Sequence, residues 1–184
     1  MRSSQGRNVT YGLVEYLGQS IVAGRYAIDH PVFTEAELTK QYGAGRSATR
    51  EAVKMLTTKG MLSARSRRGI CVQPEADWNL FDPDVLRWLL ERKFSLQLLR
   101  QFTEVRLAFE PTAAALVARN ADPEALAAIV VGIERMRAAE RGEDEPLIAD
   151  IAFHVAILKA TRNPFYTQLD ELVNTALRLS LIHI

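Results

Sequence analysis

The stretch Thr34-Glu-Ala-Glu-Leu-Thr-Lys-Gln-Tyr-Gly43-Ala-Gly-Arg46-Ser-Ala-Thr-Arg50-Glu-Ala-Val-Lys54-Met-Leu-Thr-Thr-Lys-Gly60 decides how the chain is read. Thr34 and Glu37 make a T-x-x-E capping box ahead of Leu38, which predicts a short helix ending near Gly43. A second helix is predicted from Arg46 to about Lys59, with Thr49, Ala52, Val53 and Leu56 facing inward and Gly60 ending it. Its opposite face carries Arg46, Arg50 and Lys54 at i, i+4 and i+8. At ~1.5 Å rise per residue these cations form a stripe about 12 Å long, a reach suited to a DNA major groove.

Upstream, Leu13, Leu17 and Ile21, flanked by Val14 and Val22, predict an amphipathic helix over Val9 to Val22 that Gly24 stops. Downstream, Leu62 to Arg65 and Ile70 to Val72 flank Ser66-Arg67-Arg68-Gly69, the pattern of a hairpin with a basic tip. Three helices and a short β-hairpin make a winged helix-turn-helix over residues 1–73. Charge supports a polyanion as its partner: residues 1–75 hold 11 Lys/Arg and 6 Asp/Glu, whereas the remainder holds 12 and 16. Lys40 to Arg68 alone carries eight basic residues against one acid, Glu51. A lone basic helix face is ordinarily just a solvated face, but it would explain neither the helix-turn-helix spacing nor the basic tip.

The whole chain has 184 residues, 48% hydrophobic and 24% charged, a profile of globular rather than disordered proteins. One cysteine, Cys71, excludes an internal disulfide framework and a cysteine-rich zinc site, and fits a reducing cytoplasm. The longest apolar run, Ala125 to Val131, is too short to span a bilayer, and Met1-Arg-Ser-Ser-Gln5 lacks a signal-peptide core, so no membrane partner is expected.

After an irregular linker at 74–82, the pairs Asp82-Pro83, Asp122-Pro123 and Asn163-Pro164 each combine an N-cap with proline at the first helical position. Helical periodicity follows in Leu98, Phe102, Val105 and Phe109, in Leu126, Ile129, Ile133 and Met136, and in Ile148, Ile151, Val155 and Leu158. The fold class is therefore mostly α, with an antiparallel helical bundle over residues 83–184. Two constellations in it carry chemistry. Asp150-x-x-x-His154 puts a carboxylate and an imidazole on one helix face, as a surface hydrogen bond or as half of a divalent-metal site. Glu104-x-Arg106-x-x-x-Glu110 is either an exposed ion pair worth under ~1 kcal/mol or a guanidinium fork for a carboxylate ligand.

The run Glu37 to Leu62, followed by Arg67-Arg68-Gly69-Ile-Cys-Val72, resembles the DNA-binding domain of GntR-type bacterial transcription regulators. The stretches from Glu104 to Ala118 and from Ala149 to Pro164 resemble the helical effector-binding domain of the FadR branch, and Trp78 to Leu89 is similar to the linker of its galactonate and hexuronate regulators. The resemblance implies a homodimer on a palindromic double-stranded operator, with Arg46, Ser47, Arg50, Lys54, Arg67 and Arg68 at the DNA and Gly69 letting the wing approach the minor groove. It implies a repressor released by a small carboxylate held by Arg106, and a zinc-like metal on Asp150 and His154. The pattern departs at Gly45, where a Ser or Thr is usual, and at Phe33, where Pro is usual.

The family domain also takes two further histidine ligands from later helices, whereas this chain stops at Leu181-Ile-His-Ile184. The expectation is therefore a truncated domain with weak metal affinity and an exposed apolar stripe at Leu169, Val173, Leu177 and Leu181. Other classes compatible with the residues are a dimerisation-only antirepressor and a metal-dependent enzyme in the helical half. Against the enzyme stands the lack of any nucleophile motif or Gly-rich phosphate loop.

Overall fold

The computed structural model describes residues 2–28, 31–65, 69–92, 95–120 and 122–181. The chain forms two compact units, Met1–Arg92 and Lys93–Ile184.

The first unit contains α1 (Arg2–Val22), β1 (Pro31–Phe33), α2 (Glu35–Tyr42), α3 (Arg46–Thr58), β2 (Leu62–Arg65), β3 (Gly69–Val72) and α4 (Pro83–Arg92). Helix α1 begins before Val9, where the apolar periodicity first appears, and buries Leu13, Val14, Leu17, Ile21 and Val22. The capping box forms as expected: Glu37 N–H donates to Thr34 Oγ1 at 3.2 Å and Thr34 N–H donates to Glu37 Oε2 at 2.7 Å. Gly43, with φ 60°, lets the chain turn left-handed between α2 and α3. The hairpin pairs Leu62 with Val72 and Ala64 with Ile70. A third strand, β1, pairs antiparallel with β3 to give the order β1-β3-β2. Sequence periodicity misses it because three residues show no alternation, and Pro31 is tolerated because the strand lies at an edge.

Helix α4 packs on α1. Its Trp88 is 1% exposed, and the indole lies so close to Gly18 that any Cβ at that position would collide with the ring. The expected boundary, with residues 83–184 as one helical domain, therefore differs from the packing, which carries 83–92 with the winged helix.

The second unit contains α5 (Leu96–Asn120), α6 (Pro123–Glu140), α7 (Pro146–Ala160), α8 (Pro164–Thr167) and α9 (Asp170–Leu181). Asp122 and Asn163 cap α6 and α8 by accepting from Ala125 N–H and Phe165 N–H, and Asp82 does the same for α4 from Asp84 and Val85. Helix α7 sits at the centre, in contact with α5, α6 and α9. Its crossing with α6 is close at Gly132, where a Cβ would come within 2.9 Å of Phe153 Cα. Ala113, Ile151, Ile157, Leu158, Val173 and Leu177 form the core. The apolar stripe expected to be exposed on the last helix is thus corrected: Val173 (0% exposed) and Leu177 (7%) are buried and Leu169 packs against the same core, because α7 carries apolar residues beyond its α6 face and offers α9 a partner. Leu181's side chain falls outside the described set. Among the described residues, no helix is long and apolar enough to cross a membrane.

Candidate nucleic-acid interface and ligand cluster

Helix α3 separates its two faces cleanly. Thr49, Ala52, Val53 and Leu56 are buried, while Arg46, Ser47, Arg50 and Lys54 are exposed. Its back is fixed to α2 partly through a hydroxyl pair, with Thr39 Oγ1 donating to Thr49 Oγ1 at 3.2 Å. Gly45 caps the helix with extended backbone (φ −63°, ψ 150°) and no side-chain hydrogen bond. The free N–H groups of that first turn, with the positive end of the helix dipole, stand beside Arg46 and favour a phosphate there. Gly69 opens β3 with φ 72°, a left-handed turn that only glycine adopts without strain. Arg67 and Arg68 lie outside the described residues. Lys59, counted in sequence with the basic run, points inward: it is 9% exposed, with its ammonium 2.7 Å from Asp82 and 2.9 Å from Asp84. The charge offered to a polyanion is smaller than the sequence count by that lysine.

In the second unit the two chemical constellations of the sequence meet. Arg106 Nε donates to Glu110 Oε1 at 2.7 Å and a second guanidinium nitrogen donates to Oε2 at 3.2 Å, a bidentate pair whose side chains are only 13% and 14% exposed. Glu110 Oε2 also lies 2.9 Å from His154 Nδ1, and His154 Nε2 lies 3.4 Å from Asp150 Oδ1. The Nδ1 contact is close but out of hydrogen-bond alignment, so its attraction is electrostatic. Burial pushes His154 toward neutrality, but Asp150 and Glu110 outweigh it and hold the imidazole above its ordinary value of 6.5. Burial likewise raises Glu110, and the His154 and Arg106 contacts more than offset that, leaving its carboxyl below 4.5. The result is a line of alternating charge, Arg106 to Glu110 to His154 to Asp150, crossing from α5 to α7.

Two donors bound at ~2.0–2.1 Å to a tetrahedral zinc sit about 3.3 Å apart. The 3.4 Å between Asp150 Oδ1 and His154 Nε2 matches that spacing, and Glu110 at the other ring nitrogen resembles the carboxylate that orients a ligating histidine. Glu110 cannot join the same ion, since the two imidazole nitrogens face opposite ways. Among the described residues no group of three His, Cys, Asp or Glu is arranged to hold a metal. The residues thus supply half of a site. An open cavity of about 430 Å³ between α6 and α7, lined by Asp122, Ala128, Val155, Lys159 and Arg162 among others, holds none of Arg106, Asp150 or His154.

Residues 11–72 match the family model of bacterial regulatory proteins, gntR family, and residues 101–184 match the FCD domain. Over 171 residues the sequence is 33% identical to the galactonate operon transcriptional repressor of Escherichia coli (strain K12), covering 93% of this chain and 75% of that protein. The chain belongs to the GntR family of bacterial regulators. It is also 33% identical over 171 residues to the uncharacterized HTH-type transcriptional regulator YieP of the same organism, covering 92% and 74% of the two chains. Streptococcus agalactiae GntR, a solved structure, is 24% identical, covers 92% of this chain and 80% of its own, and gives a TM-score of 0.46. Family membership makes this regulator a DNA-binding protein, and the metal-dependent enzyme alternative falls with it. The two matched regions leave 73–100 between them, the span in which α4 lies.

The sequence found each end of the charge line but not the join. Glu110 appeared there only as the partner of Arg106, and nothing in helical spacing links it to a histidine 44 positions away. The Lys59 contacts were hidden for the same reason.

Proposed function

We propose that this regulator is a homodimeric repressor in the bacterial cytoplasm, each protomer setting α3 into the major groove of one half of a palindromic operator. A small carboxylate of the sugar-acid class releases it by engaging Arg106. The observation that carries the reading is the face of α3, where Arg46, Ser47, Arg50 and Lys54 are exposed over a buried back. By the family resemblance, Arg67, Arg68 and Gly69 belong to a wing that meets the adjacent minor groove. The likeness to a galactonate operon repressor supports the choice of ligand class.

Arg106 already holds a carboxylate, that of Glu110, at 2.7 Å. Glu110 takes two of the five guanidinium N–H donors, so a ligand carboxylate binds the remaining three and both Arg106 and Glu110 stay paired throughout. That balance matters because an unpaired charge at this depth is costly. Asp150 and His154 bind a divalent metal weakly, with Glu110 orienting the imidazole.

The test begins with random-sequence duplexes enriched on the purified protein. A palindrome should emerge, and galactonate or a hexuronate should release it where the uncharged parent sugar does not. Enrichment without any palindromic symmetry, or equal release by acid and neutral sugar, refutes the reading.

A further inference from the structure

The C-terminal end of α3 is tied to the segment that leads into α4 in three separate ways. Lys59 Nζ donates to both oxygens of Asp82 at 2.7 Å and to Asp84 Oδ2 at 2.9 Å. Asn79 N–H donates to the Lys59 carbonyl at 2.9 Å. Gly60, with φ 76°, packs so closely on the Asp77 carbonyl that a Cβ would collide with it. Helix α4 is in turn fixed to α1: Arg87 grips Glu15 with two bonds of 2.8 and 2.6 Å, and Trp88 rests on Gly18. Lys59 and Arg87 both lie over the Trp88 ring, at 5.8 and 5.7 Å from its centroid.

A lysine this buried makes no phosphate contact, so its charge serves the protein rather than the DNA. Lys59 and Arg46 stand at opposite ends of α3, about 20 Å apart at ~1.5 Å per residue. A tilt of about 10° at the Lys59 end displaces Arg46 by about 3 Å, enough to turn a hydrogen bond into none.

We propose that Lys59 is a positioning residue for DNA recognition: held by Asp82 and Asp84, it fixes α3 to α4 at the angle that presents Arg46 and Arg50 to base edges. Helix α4 is then a buttress of the DNA-reading unit rather than a tether. The proposal rests on the assignment of α3 as the DNA-reading helix.

The experiment uses the full chain and the duplex enriched on the wild-type protein, with a scrambled duplex of the same composition as control. Lys59→Met and Asp82→Asn are compared singly and together, with Lys59→Arg and Arg50→Ala alongside. Asn caps a helix as well as Asp does, so Asp82→Asn removes the charge and keeps the α4 cap. On bulk electrostatics, losing an acid strengthens DNA binding; the positioning role demands the reverse. Each single variant should lose about tenfold in affinity for the enriched duplex while scrambled-duplex binding stays within about twofold, and the double should be no weaker than the weaker single. Lys59→Arg, which restores the ion pair, should recover most of the loss.

Wild-type affinity in Asp82→Asn, or tighter binding, overturns the proposal. So does a parallel loss on both duplexes, which signals lost charge or lost fold. If Lys59→Met does not fold, Asp82→Asn and Lys59→Arg decide on the same criteria. Should Arg50→Ala also bind as wild type, the assignment of α3 itself fails, and the two failures are thereby told apart.

Discussion

Replacing Trp88 by alanine tests where the DNA-binding unit ends. The side chain is 1% exposed, packs on α1 at Gly18 and carries two cations over its ring. Burying about 200 Å² of indole at ~25 cal/mol per Å² amounts to about 5 kcal/mol, and large-to-small core substitutions of Trp cost about 3–5 kcal/mol. One contribution adds to this. Loss of two cation–π contacts adds about 0.5–1 kcal/mol each. The net expectation is about 4–6 kcal/mol, located in the first unit. Hydrogen exchange by mass spectrometry on the full chain reads the location directly: amides of α1 and α3 should lose protection while those of α7 and α9 keep theirs. Gly18→Ala, which drives a methyl into the same ring, should disturb the same amides. Protection lost in α7 and α9 instead, or nowhere, refutes the placement of α4 with the winged helix.

Arg46→Ala and Arg50→Ala should each cost about 1–3 kcal/mol in operator binding and relax base discrimination, measured by competition between the enriched duplex and single-base variants. Arg106→Ala should abolish release by a sugar acid and leave operator affinity unchanged; equal ligand affinity in the variant, by calorimetry, reduces Arg106 to a structural ion pair. Acid should weaken the first unit. The Arg87 hydrogen bond holds Glu15 below its ordinary 4.5, and at Asp84 the contacts with Lys59 and Arg87 outweigh burial to hold it below 3.8. Their contribution is complete above those ordinary values and disappears as pH falls through the depressed ones, so denaturant midpoints between pH 6 and pH 3 should fall, and Arg87→Met should flatten the slope. Zinc should bind the full chain more weakly than ~1 μM, since three or four protein ligands are the rule for tight sites, and Asp150→Ala should abolish what binding there is.

Local chemistry made the helix starts of both units legible. The Thr34–Glu37 box, the four-residue recurrence of Arg46, Arg50 and Lys54, and the capping Asp and Asn residues before Pro83, Pro123 and Pro164 are decided within a turn or two of helix, and the structure keeps each of them. What the sequence hid is decided across distance. Trp88 looks like any core aromatic of a helical bundle until Gly18, 70 positions earlier, turns out to be its seat. The last helix was misread for a related reason: an apolar stripe counts as exposed only if nothing covers it, and α7 has apolar surface to spare for Val173 and Leu177. Lys59 shows that a charge tally treats every cation alike, whereas burial decides which of them a ligand meets.

The close crossing of α6 and α7 at Gly132 also bears on how the second unit assembles. The two helices are joined by the short turn at 141–145, so bringing Gly132 against Phe153 closes a loop of about 20 residues at small entropic cost. Contacts of such short range have a low closure cost, so the α6–α7 pair should form early relative to the contacts of α7 with α5 and α9. A bulky residue at 132 should therefore slow refolding as well as destabilise the product, an outcome that stopped-flow refolding of Gly132→Val reads directly.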